Sequence, residues 1–282
     1  MLFFPNCKIN LGLKITGKRA DGYHDIATVF FPVPINDVIE IIDNKELLDV
    51  IEFTQSGIPI AGDQKDNLCI KAWYLLKNDF PKLPSVKLHL HKAIPMGAGL
   101  GGGSADGAAT LLLLNQKYLL NLSESQLLSY ALQLGSDCPF FIINKPCLGT
   151  GRGELLQPIS LTLKGYQLVI INPGIHVNTG WAFSQLNLEA NNLNENASTI
   201  QSLSNIISND IVNWKDELKN DFEQPVFEKF PAIGVIKNSL YQNGAVYASM
   251  SGSGSSVFGI FKENKIPHFD FPSNFLVFSK LL

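Results

Sequence analysis

A glycine-rich run from Pro95 to Ser104 constrains the fold of this 282-residue chain more than any other sequence feature. Five of the seven residues at positions 97–103 are glycine, and glycine loses more conformational freedom on folding than any other residue. Such a loop is useful where the backbone needs positive φ angles or must approach another group closely. An alternating strand pattern at residues 86–91 precedes it, and an Ala- and Leu-rich helical stretch at residues 105–120 follows it. The pattern therefore indicates successive backbone N–H groups that face an anion at the start of a helix.

Two common phosphate-binding motifs do not fit this loop. A Walker motif continues with Gly-Lys-Ser/Thr, whereas Ser104 follows Gly103 here without a lysine. A Rossmann fingerprint can be aligned with residues 97–102, but the strand before it is not the first of the chain. The acidic residue expected about 20 positions later is also missing, because Asn-Gln-Lys stands at residues 115–117. A flexible structural turn is the remaining alternative to anion binding. We expect Ser104 to cap the following helix.

Strand and helix patterns are mixed along the chain without a strict βαβα alternation, which favours an α+β fold over a doubly wound sheet. The helix that begins after Ser123 has the Ser-x-x-Gln spacing of a capping box and should end near Gly135. Strand patterns cover residues 8–15, 28–42, 86–91, 168–171, 246–248 and 257–260, and further helices are predicted at residues 67–78 and 231–242.

Composition excludes several classes of protein. Hydrophobic residues make up 45% of the chain and charged residues 17%, and the net charge of −3 gives no electrostatic footprint for nucleic acid. No apolar run approaches the roughly 18 residues that cross a membrane, and the N-terminus lacks the pattern of a signal peptide, so we expect a cytoplasmic protein. The four cysteines stand at unrelated spacings, which argues against a zinc site or a disulfide framework.

Three motifs give the chain a resemblance to the GHMP superfamily of galactose, homoserine, mevalonate and phosphomevalonate kinases. Residues 95–105 (PMGAGLGGGSA) resemble the ATP loop of that family, and residues 8–13 (KINLGL) resemble its first motif. Residues 248–259 (ASMSGSGSSVFG) resemble its third motif, which in the family approaches the phosphate loop. Two small apolar departures, Cys7 in place of the usual Ala and Cys138 in place of the usual Val, do not affect the chemistry.

Further segments are similar to one branch of the superfamily, which phosphorylates the 2-hydroxyl of 4-(cytidine 5′-diphospho)-2-C-methyl-D-erythritol in non-mevalonate isoprenoid precursor synthesis. They are RADGYH (19–24), LGSDCPFF (134–141), GRGE (151–154) and NDFE (220–223). The character of the sequence changes beyond Gly149, which predicts a domain boundary near residues 150–165. The resemblance implies an ATP-binding catalytic domain before this boundary, at residues 1–156, and a ferredoxin-like substrate-side domain after it, at residues 157–282. We expect a monomer or homodimer. The alternatives are another GHMP kinase, of the mevalonate or homoserine type, and a nucleotide-binding protein of the same fold without catalytic activity.

The resemblance assigns the catalytic roles to Asp137 and Lys8. Phosphoryl transfer needs positioning, charge stabilisation and a group that accepts the proton of the attacking hydroxyl. Asp137 is the candidate base, on a tight connection after a helix. The Lys8 ammonium would keep that carboxylate ionised and offset charge on the transferred group. Asn10 is expected to hydrogen-bond the substrate.

Recognition of cytosine is assigned to aromatic residues. Tyr23 offers a face on which a base can stack, and His24 offers an imidazole for the polar edge of the base. Phe183 is expected to supply a second stacking ring, with Trp181 as the alternative, and Thr179 to contact the diphosphate.

The expected cofactors are ATP and Mg²⁺, the latter held largely by phosphate oxygens and water with Ser104 as the protein ligand. Asn67 is expected on the adenine side. The residues expected to bind ATP are Pro95, Met96, Gly97, Ala98, Gly99, Leu100, Gly101, Gly102, Gly103, Ser104, Ala105 and Asn67.

Overall fold

The structure is a computed structural model that describes residues 1–46, 49–186, 193–262 and 269–282, with side chains in the third range from residue 198 onward. The strands are β1 (Leu2–Phe3), β2 (Asn6–Lys18), β3 (His24–Asn36), β4 (Val38–Asp43), β5 (Ile51–Gly57), β6 (Val86–Lys92), β7 (Cys147–Thr150), β8 (Leu155–Pro158), β9 (Tyr166–Asn172), β10 (Tyr247–Met250), β11 (Val257–Lys262) and β12 (Leu276–Leu281). The helices are α1 (Leu68–Asp79), α2 (Gly102–Lys117), α3 (Glu124–Leu134), α4 (Cys138–Ile143), α5 (Thr179–Ser184), α6 (Leu193–Ser208), α7 (Trp214–Glu217), α8 (Glu223–Lys229) and α9 (Pro231–Gln242).

Contacts within the chain define two compact units, each made of several stretches. The first unit comprises Met1–Cys7, Ile35–Met96 and Gly101–Asn144, and the second comprises Lys8–Pro34, Gly97–Leu100 and Lys145–Leu282. The combination of helices with largely antiparallel sheets confirms the predicted α+β fold class. The division into residues 1–156 and 157–282 stays a prediction. In the described ranges, no helix is both long enough and apolar enough to cross a membrane.

In the first unit, a four-stranded sheet of order β1-β4-β6-β5 carries helices α1 to α4. The predicted alternation in β6 is confirmed, because Val86, Leu88 and Leu90 are buried whereas Lys87 on the other face is partly exposed. The inward residues of β6 join a core that includes Trp73 of α1 and residues of α2 and α3. The same alternation continues to the end of the strand, so the last residue of β6 also points inward.

Helix α2 begins earlier than predicted, so the expectation that Ser104 caps it is wrong. The helix starts at Gly102, and its N-cap is Gly101, which has a left-handed backbone (φ +71°) and no side-chain cap. The first helical hydrogen bond runs from the Ala105 N–H to the Gly101 carbonyl, at 2.9 Å. Ser104 therefore lies inside the first turn, where its hydroxyl is available for other partners.

Close packing explains why glycines occupy this first turn. A Cβ atom on Gly102 would lie 2.8 Å from Cγ2 of Ile94, and one on Gly103 would lie 2.7 Å from Cε of Met96. Real Cβ contacts are not that short, so Gly102 is needed for the turn to pack against the branched Ile94 side chain, whereas the flexible end of the Met96 side chain could move away from a Cβ on Gly103. The helical propensity that glycine lacks is outweighed here by the tertiary contact.

Local signals predicted the ends of α3 correctly. The Ser123 hydroxyl accepts the N–H of Gln126, whose side chain accepts the N–H of Ser123, which forms a complete capping box. The helix ends at Leu134 with Gly135 as its C-cap. Two residues later, Asp137 is the N-cap residue of α4.

The second unit contains two four-stranded sheets. One has the order β2-β3-β7-β8, and the other has the order β10-β11-β9-β12 with antiparallel pairs throughout. The second order is that of a ferredoxin-like sheet, as predicted. Helix α9 has the predicted bounds and begins with Pro231 in its first turn, where proline is favoured. Its residues Ile233, Ile236 and Leu240 pack into a core with β9 and β11.

Candidate active site

Part of the glycine loop, Gly97–Leu100, is held in the second unit by the segment that follows β10. The Ser256 N–H donates to the Ala98 carbonyl at 3.1 Å, and the Ser251 hydroxyl donates to the Gly99 carbonyl at 2.8 Å. Gly99 has a φ of +77°, and a Cβ there would lie 1.9 Å from the Ser251 carbonyl oxygen. The loop and the predicted third motif therefore touch backbone to backbone, which requires glycine at this position.

Lys8 lies against the same part of the loop. Its ammonium donates to the Gly99 carbonyl at 2.9 Å and to Oδ1 of Asn10 at 2.6 Å, and its backbone N–H donates to the Leu100 carbonyl at 2.9 Å. Its Nζ is also 5.4 Å from the centroid of the Phe30 ring. With 3% of Lys8 exposed, the ammonium is a largely desolvated cation beside the loop, where its electrostatic interactions are stronger than in water.

Asn10 is held by hydrogen bonds to two hydroxyl groups. Its Nδ2 donates to the Thr28 hydroxyl at 3.0 Å, and its backbone N–H donates to the Ser251 hydroxyl at 3.2 Å. The Thr28 hydroxyl in turn donates to the Gly12 carbonyl at 2.5 Å. Because its donor end is used in this way, the amide oxygen of Asn10 points to Lys8. The sequence did not indicate a role for Thr28, which lies on the neighbouring strand.

In the first unit, Ser104 and the start of α4 lie together. Burial raises the pKa of the Cys138 thiol to about 12, with a smaller rise from Asp137 and a smaller opposing effect from a hydrogen bond with the Ser104 side chain. Asp137 stands at the N-cap position, yet its side chain makes no capping hydrogen bond to α4. Asp137 therefore does not cap α4 with its side chain, which is the usual structural role of an aspartate at an N-cap position.

A cleft of about 270 Å³ opens beside the start of α2 in the first unit. Met96 and Gly103 line it together with Asn67 and the strand segment at residues 53–55. Asn67 caps α1, with Oδ1 accepting the N–H of Cys69 at 2.9 Å. Three residues that the sequence assigned to ATP therefore surround one cleft at a helix N-terminus, where the first N–H groups have no partner within the helix.

Beneath this helix start lies a buried charged cluster that the sequence analysis did not single out. The Lys92 ammonium donates to Asp37 and, at 2.7 Å, to Oδ2 of Asp106, which also lines the cleft. Burial raises the pKa of Asp106 to about 8. Burial alone would lower the pKa of Lys92, but the two carboxylates outweigh it and the pKa is raised. The strand alternation of β6 places Lys92 on the inward face, and this position was the one sequence signal that could have indicated a buried lysine.

In the second unit, two residues assigned to cytosine recognition are in contact. The rings of His24 and Phe183 stack with centroids 4.5 Å apart and planes within 9°. Phe222 meets Phe183 edge-on at 4.8 Å. Burial, and then the charge of Lys18, lowers the pKa of His24 below its usual value, which favours the neutral imidazole. A neutral imidazole can both donate and accept a hydrogen bond.

Tyr23 is not part of this stack. The Arg152 guanidinium lies over the Tyr23 ring, 4.8 Å from the ring centroid. Among the described residues, the Tyr23 ring makes no ring contact with Phe183. Trp181, the alternative stacking residue, meets Phe230 edge-on at 5.9 Å.

Thr179 begins α5, and its hydroxyl is 2.9 Å from the hydroxyl of Ser253. Ser253 belongs to the predicted third motif, which also holds the glycine loop. Within the second unit, the residue assigned to the diphosphate is thus joined to the motif that contacts Gly97–Leu100.

Comparisons with known proteins show which family the sequence resembles. The sequence matches the GHMP kinases N-terminal domain over residues 67–145 and the GHMP kinases C-terminal domain over residues 202–267. A 4-diphosphocytidyl-2-C-methyl-D-erythritol kinase of Bacteroides fragilis is 48% identical over 98% of this chain and 97% of that protein. The kinase of the same name from Cytophaga hutchinsonii is 46% identical over 93% of this chain and 92% of that protein.

Solved structures are similar in fold. A crystal structure of 4-(cytidine 5′-diphospho)-2C-methyl-D-erythritol kinase gives a TM-score of 0.73 at 28% identity, covering 92% of this chain and 90% of that chain. The mevalonate kinase of Methanococcus jannaschii gives a TM-score of 0.68 at 12% identity, covering 100% of this chain and 98% of that chain. At that identity the second likeness concerns the fold alone.

Proposed function

The chain belongs to the GHMP kinases, and we propose that it transfers the γ-phosphoryl group of ATP to the 2-hydroxyl of 4-(cytidine 5′-diphospho)-2-C-methyl-D-erythritol, a step of non-mevalonate isoprenoid precursor synthesis. Kinases named for this substrate are up to 48% identical over almost the whole chain. The geometric observation that carries the choice of acceptor is the stacked His24–Phe183 pair. Mevalonate and homoserine have no aromatic ring that could stack against such a pair.

The triphosphate of ATP is proposed to bind the glycine loop. The backbone N–H groups at the start of α2 and in the loop provide donors, and the helix dipole favours an anion there. The adenine is assigned to the cleft that Asn67, Met96 and Gly103 line. Its apolar and polar walls suit a flat heteroaromatic ring.

Two side chains are assigned to the chemical step. In the transfer, the acceptor oxygen forms a bond to the γ-phosphorus, the bond from that phosphorus to the β–γ bridging oxygen breaks, and ADP leaves. The Asp137 carboxylate takes the proton of the acceptor hydroxyl. The Lys8 ammonium offsets the negative charge on the transferred group. Support for the role of Lys8 comes from its burial and from its contact with the Gly99 carbonyl in the glycine loop.

The acceptor is assigned to residues of the second unit. Phe183 and Tyr23 offer ring faces for the cytosine, and the neutral His24 imidazole can pair with its polar edge. Asn10 is assigned to a hydroxyl of the acceptor and Thr179 to the diphosphate.

Mg²⁺ is proposed to arrive with ATP. Among the described residues there is no cluster of three or more His, Cys, Asp or Glu side chains that could hold a metal ion, which fits an ion held mainly by phosphate oxygens and water. The Ser104 hydroxyl, inside the first turn of α2, would be its protein ligand. When bound, the ion would neutralise charge on the phosphates. We further propose a cytoplasmic location and a monomer or homodimer.

A coupled assay of ADP release tests the function directly. With ATP and Mg²⁺ present, the cytidine-diphospho acceptor should support turnover, whereas mevalonate and homoserine should not. Turnover with mevalonate or homoserine, and none with the cytidine compound, would replace the proposed function by the alternative one.

Replacement of the proposed base tests the mechanism. Asp137→Asn should lower kcat by at least about 100-fold, because general base catalysis contributes roughly that much, and should leave the affinity for a non-hydrolysable ATP analogue unchanged. Asp210→Asn is the matched control, since Asp210 accepts a capping hydrogen bond from Val212 and asparagine caps equally well. An undiminished rate in Asp137→Asn would show that another group takes the proton.

A further inference from the structure

We propose that Arg152 is a positioning residue for the ring of Tyr23 and thereby sets the affinity for the pyrimidine end of the acceptor. The proposal rests on the proposed function and adds a residue to it. Its basis is the contact in which the Arg152 guanidinium lies over the Tyr23 ring, 4.8 Å from the ring centroid. Nothing in the sequence pattern joins these two residues, which belong to separate turns of the second unit.

Arg152 is held in place by its own turn between β7 and β8. Its backbone N–H donates to Oε2 of Glu154 at 2.6 Å, and its Nε lies 3.7 Å from Oε1 of the same carboxylate. The Gly151 carbonyl accepts the Ile26 N–H at 2.7 Å, which ties this turn to β3 two residues after His24. The side chains of Arg152 and Glu154 are 29% and 14% exposed. The guanidinium is therefore a partly buried, oriented group, unlike a solvated surface arginine.

Tyr23 has a fixed backbone and an exposed ring. Its carbonyl accepts the Arg19 N–H at 2.8 Å, and its N–H donates to Oδ1 of Asp21 at 3.0 Å. Gly22, with a φ of +85°, completes the tight turn. The residue is nevertheless 56% exposed. Side-chain rotation of an exposed ring is cheap, so a contact is needed to hold one ring face ready for a base.

The planar guanidinium suits this task. Arginine stacks on aromatic faces through its flat, delocalised cation, whereas the ammonium of lysine is a point charge. The charge of Arg152 also acts on the acidic groups nearby: the pKa of Asp21 is lowered, chiefly by the Tyr23 N–H, with Arg19 and Arg152 adding to the effect. The positive charges of Arg19 and Arg152 compensate the negative charge of Asp21 in this turn, which reduces its repulsion of an anionic nucleotide.

A double-mutant cycle with CDP as the ligand tests the proposal. Arg152→Ala should weaken CDP binding about two- to fivefold, the usual effect of one exposed cation–π contact, and raise the KM for the acceptor equally. The kcat and the KM for ATP should not change. Because Arg152 acts through Tyr23, Arg152→Ala should cause no further loss of CDP affinity in a Tyr23→Ala background. Thermal unfolding of each variant verifies that the fold is retained.

Two further variants sharpen the result. Arg152→Lys should bind CDP as weakly as Arg152→Ala, and full recovery by lysine would overturn the stacking role. Lys215→Ala removes another cation–π contact of the second unit, 5.0 Å from the Tyr241 ring, and should leave CDP affinity unchanged. Additive losses in the cycle, or unchanged CDP affinity in Arg152→Ala, would overturn the proposal and leave the proposed function intact. Failure of the unaltered protein to bind CDP would overturn both.

Discussion

Lys92 carries the only cation among the described groups of a buried cluster that otherwise consists of the Asp37 and Asp106 side chains. Lys92→Met should therefore lower the free energy of unfolding by about 3–5 kcal/mol, the usual cost of removing one partner from a buried ion pair. Lys87→Met is the matched control, because Lys87 is on the same strand but its ion pairs are exposed. It should cost less than about 1 kcal/mol. Equal losses of unfolding free energy for the two variants, measured by urea unfolding, would show that the buried cluster contributes no more than the exposed ion pairs.

Individual site residues were predictable to different degrees. Lys8 and Asn10 belong to a short local motif and lie two positions apart on one strand, so their side chains point to the same face. In the structure the Lys8 ammonium donates to both Asn10 and the Gly99 carbonyl. Thr28 gave no local signal, and the GRGE segment at residues 151–154 did not indicate that Arg152 contacts Tyr23, because both contacts join residues far apart in the chain. Long-range contacts of this kind depend on how turns and strands pair, which one sequence does not specify residue by residue.

The glycine loop is the element whose backbone demands are most testable. Gly99 and Gly174 both have left-handed backbones, with φ of +77° and +72°, but only Gly99 would bring a Cβ against another backbone atom. Gly174→Ala should cost about 1 kcal/mol from backbone strain alone. Gly99→Ala should cost about 1–3 kcal/mol more because of the clash with the Ser251 carbonyl, and should weaken ATP binding. Similar unfolding free energies for the two variants would contradict this explanation.

Elements with complete local signals were predicted well. The capping box fixed the start of α3, and the proline and the apolar spacing fixed α9. The start of α2 was placed three residues late, because glycine has low helical propensity and its close packing against Ile94 and Met96 cannot be read from the loop sequence. The departure thus occurs where tertiary contact outweighs local preference.

At the scale of the whole molecule, sequence motifs indicated the fold class better than they indicated the contact units. Each unit draws on several stretches of the chain, and the glycine loop contributes residues 97–100 to one unit and the residues from Gly101 onward to the other. The change in the character of the sequence beyond Gly149 can indicate only a single boundary between two continuous segments. The α+β class followed from the mixture of strand and helix patterns, which does not require knowledge of pairing.

Global stability should depend on pH through Asp106. Its pKa is about 8 in the folded chain, whereas the ordinary value is 3.8. Between these values the folded state binds a proton that the unfolded state lacks, so the stabilising contribution is complete below pH 4 and is lost as pH rises through 8. Asp106→Asn should remove this loss, which amounts to at most about 1.4 kcal/mol per pH unit between pH 5 and 7.

Urea unfolding at several pH values, followed by tryptophan fluorescence, measures this effect, because Trp73 lies in the core of the first unit. Asp49→Asn is the control, since Asp49 is 77% exposed and asparagine tolerates its left-handed backbone. That variant should keep the pH dependence of the unaltered chain. If Asp106→Asn also keeps it, Asp106 is ionised in the folded protein and the Lys92 cluster carries a net negative charge at neutral pH. If the pH dependence of the unfolding free energy disappears in Asp106→Asn, Asp106 is protonated in the folded protein, and the cluster beneath the proposed ATP site carries no net charge at neutral pH.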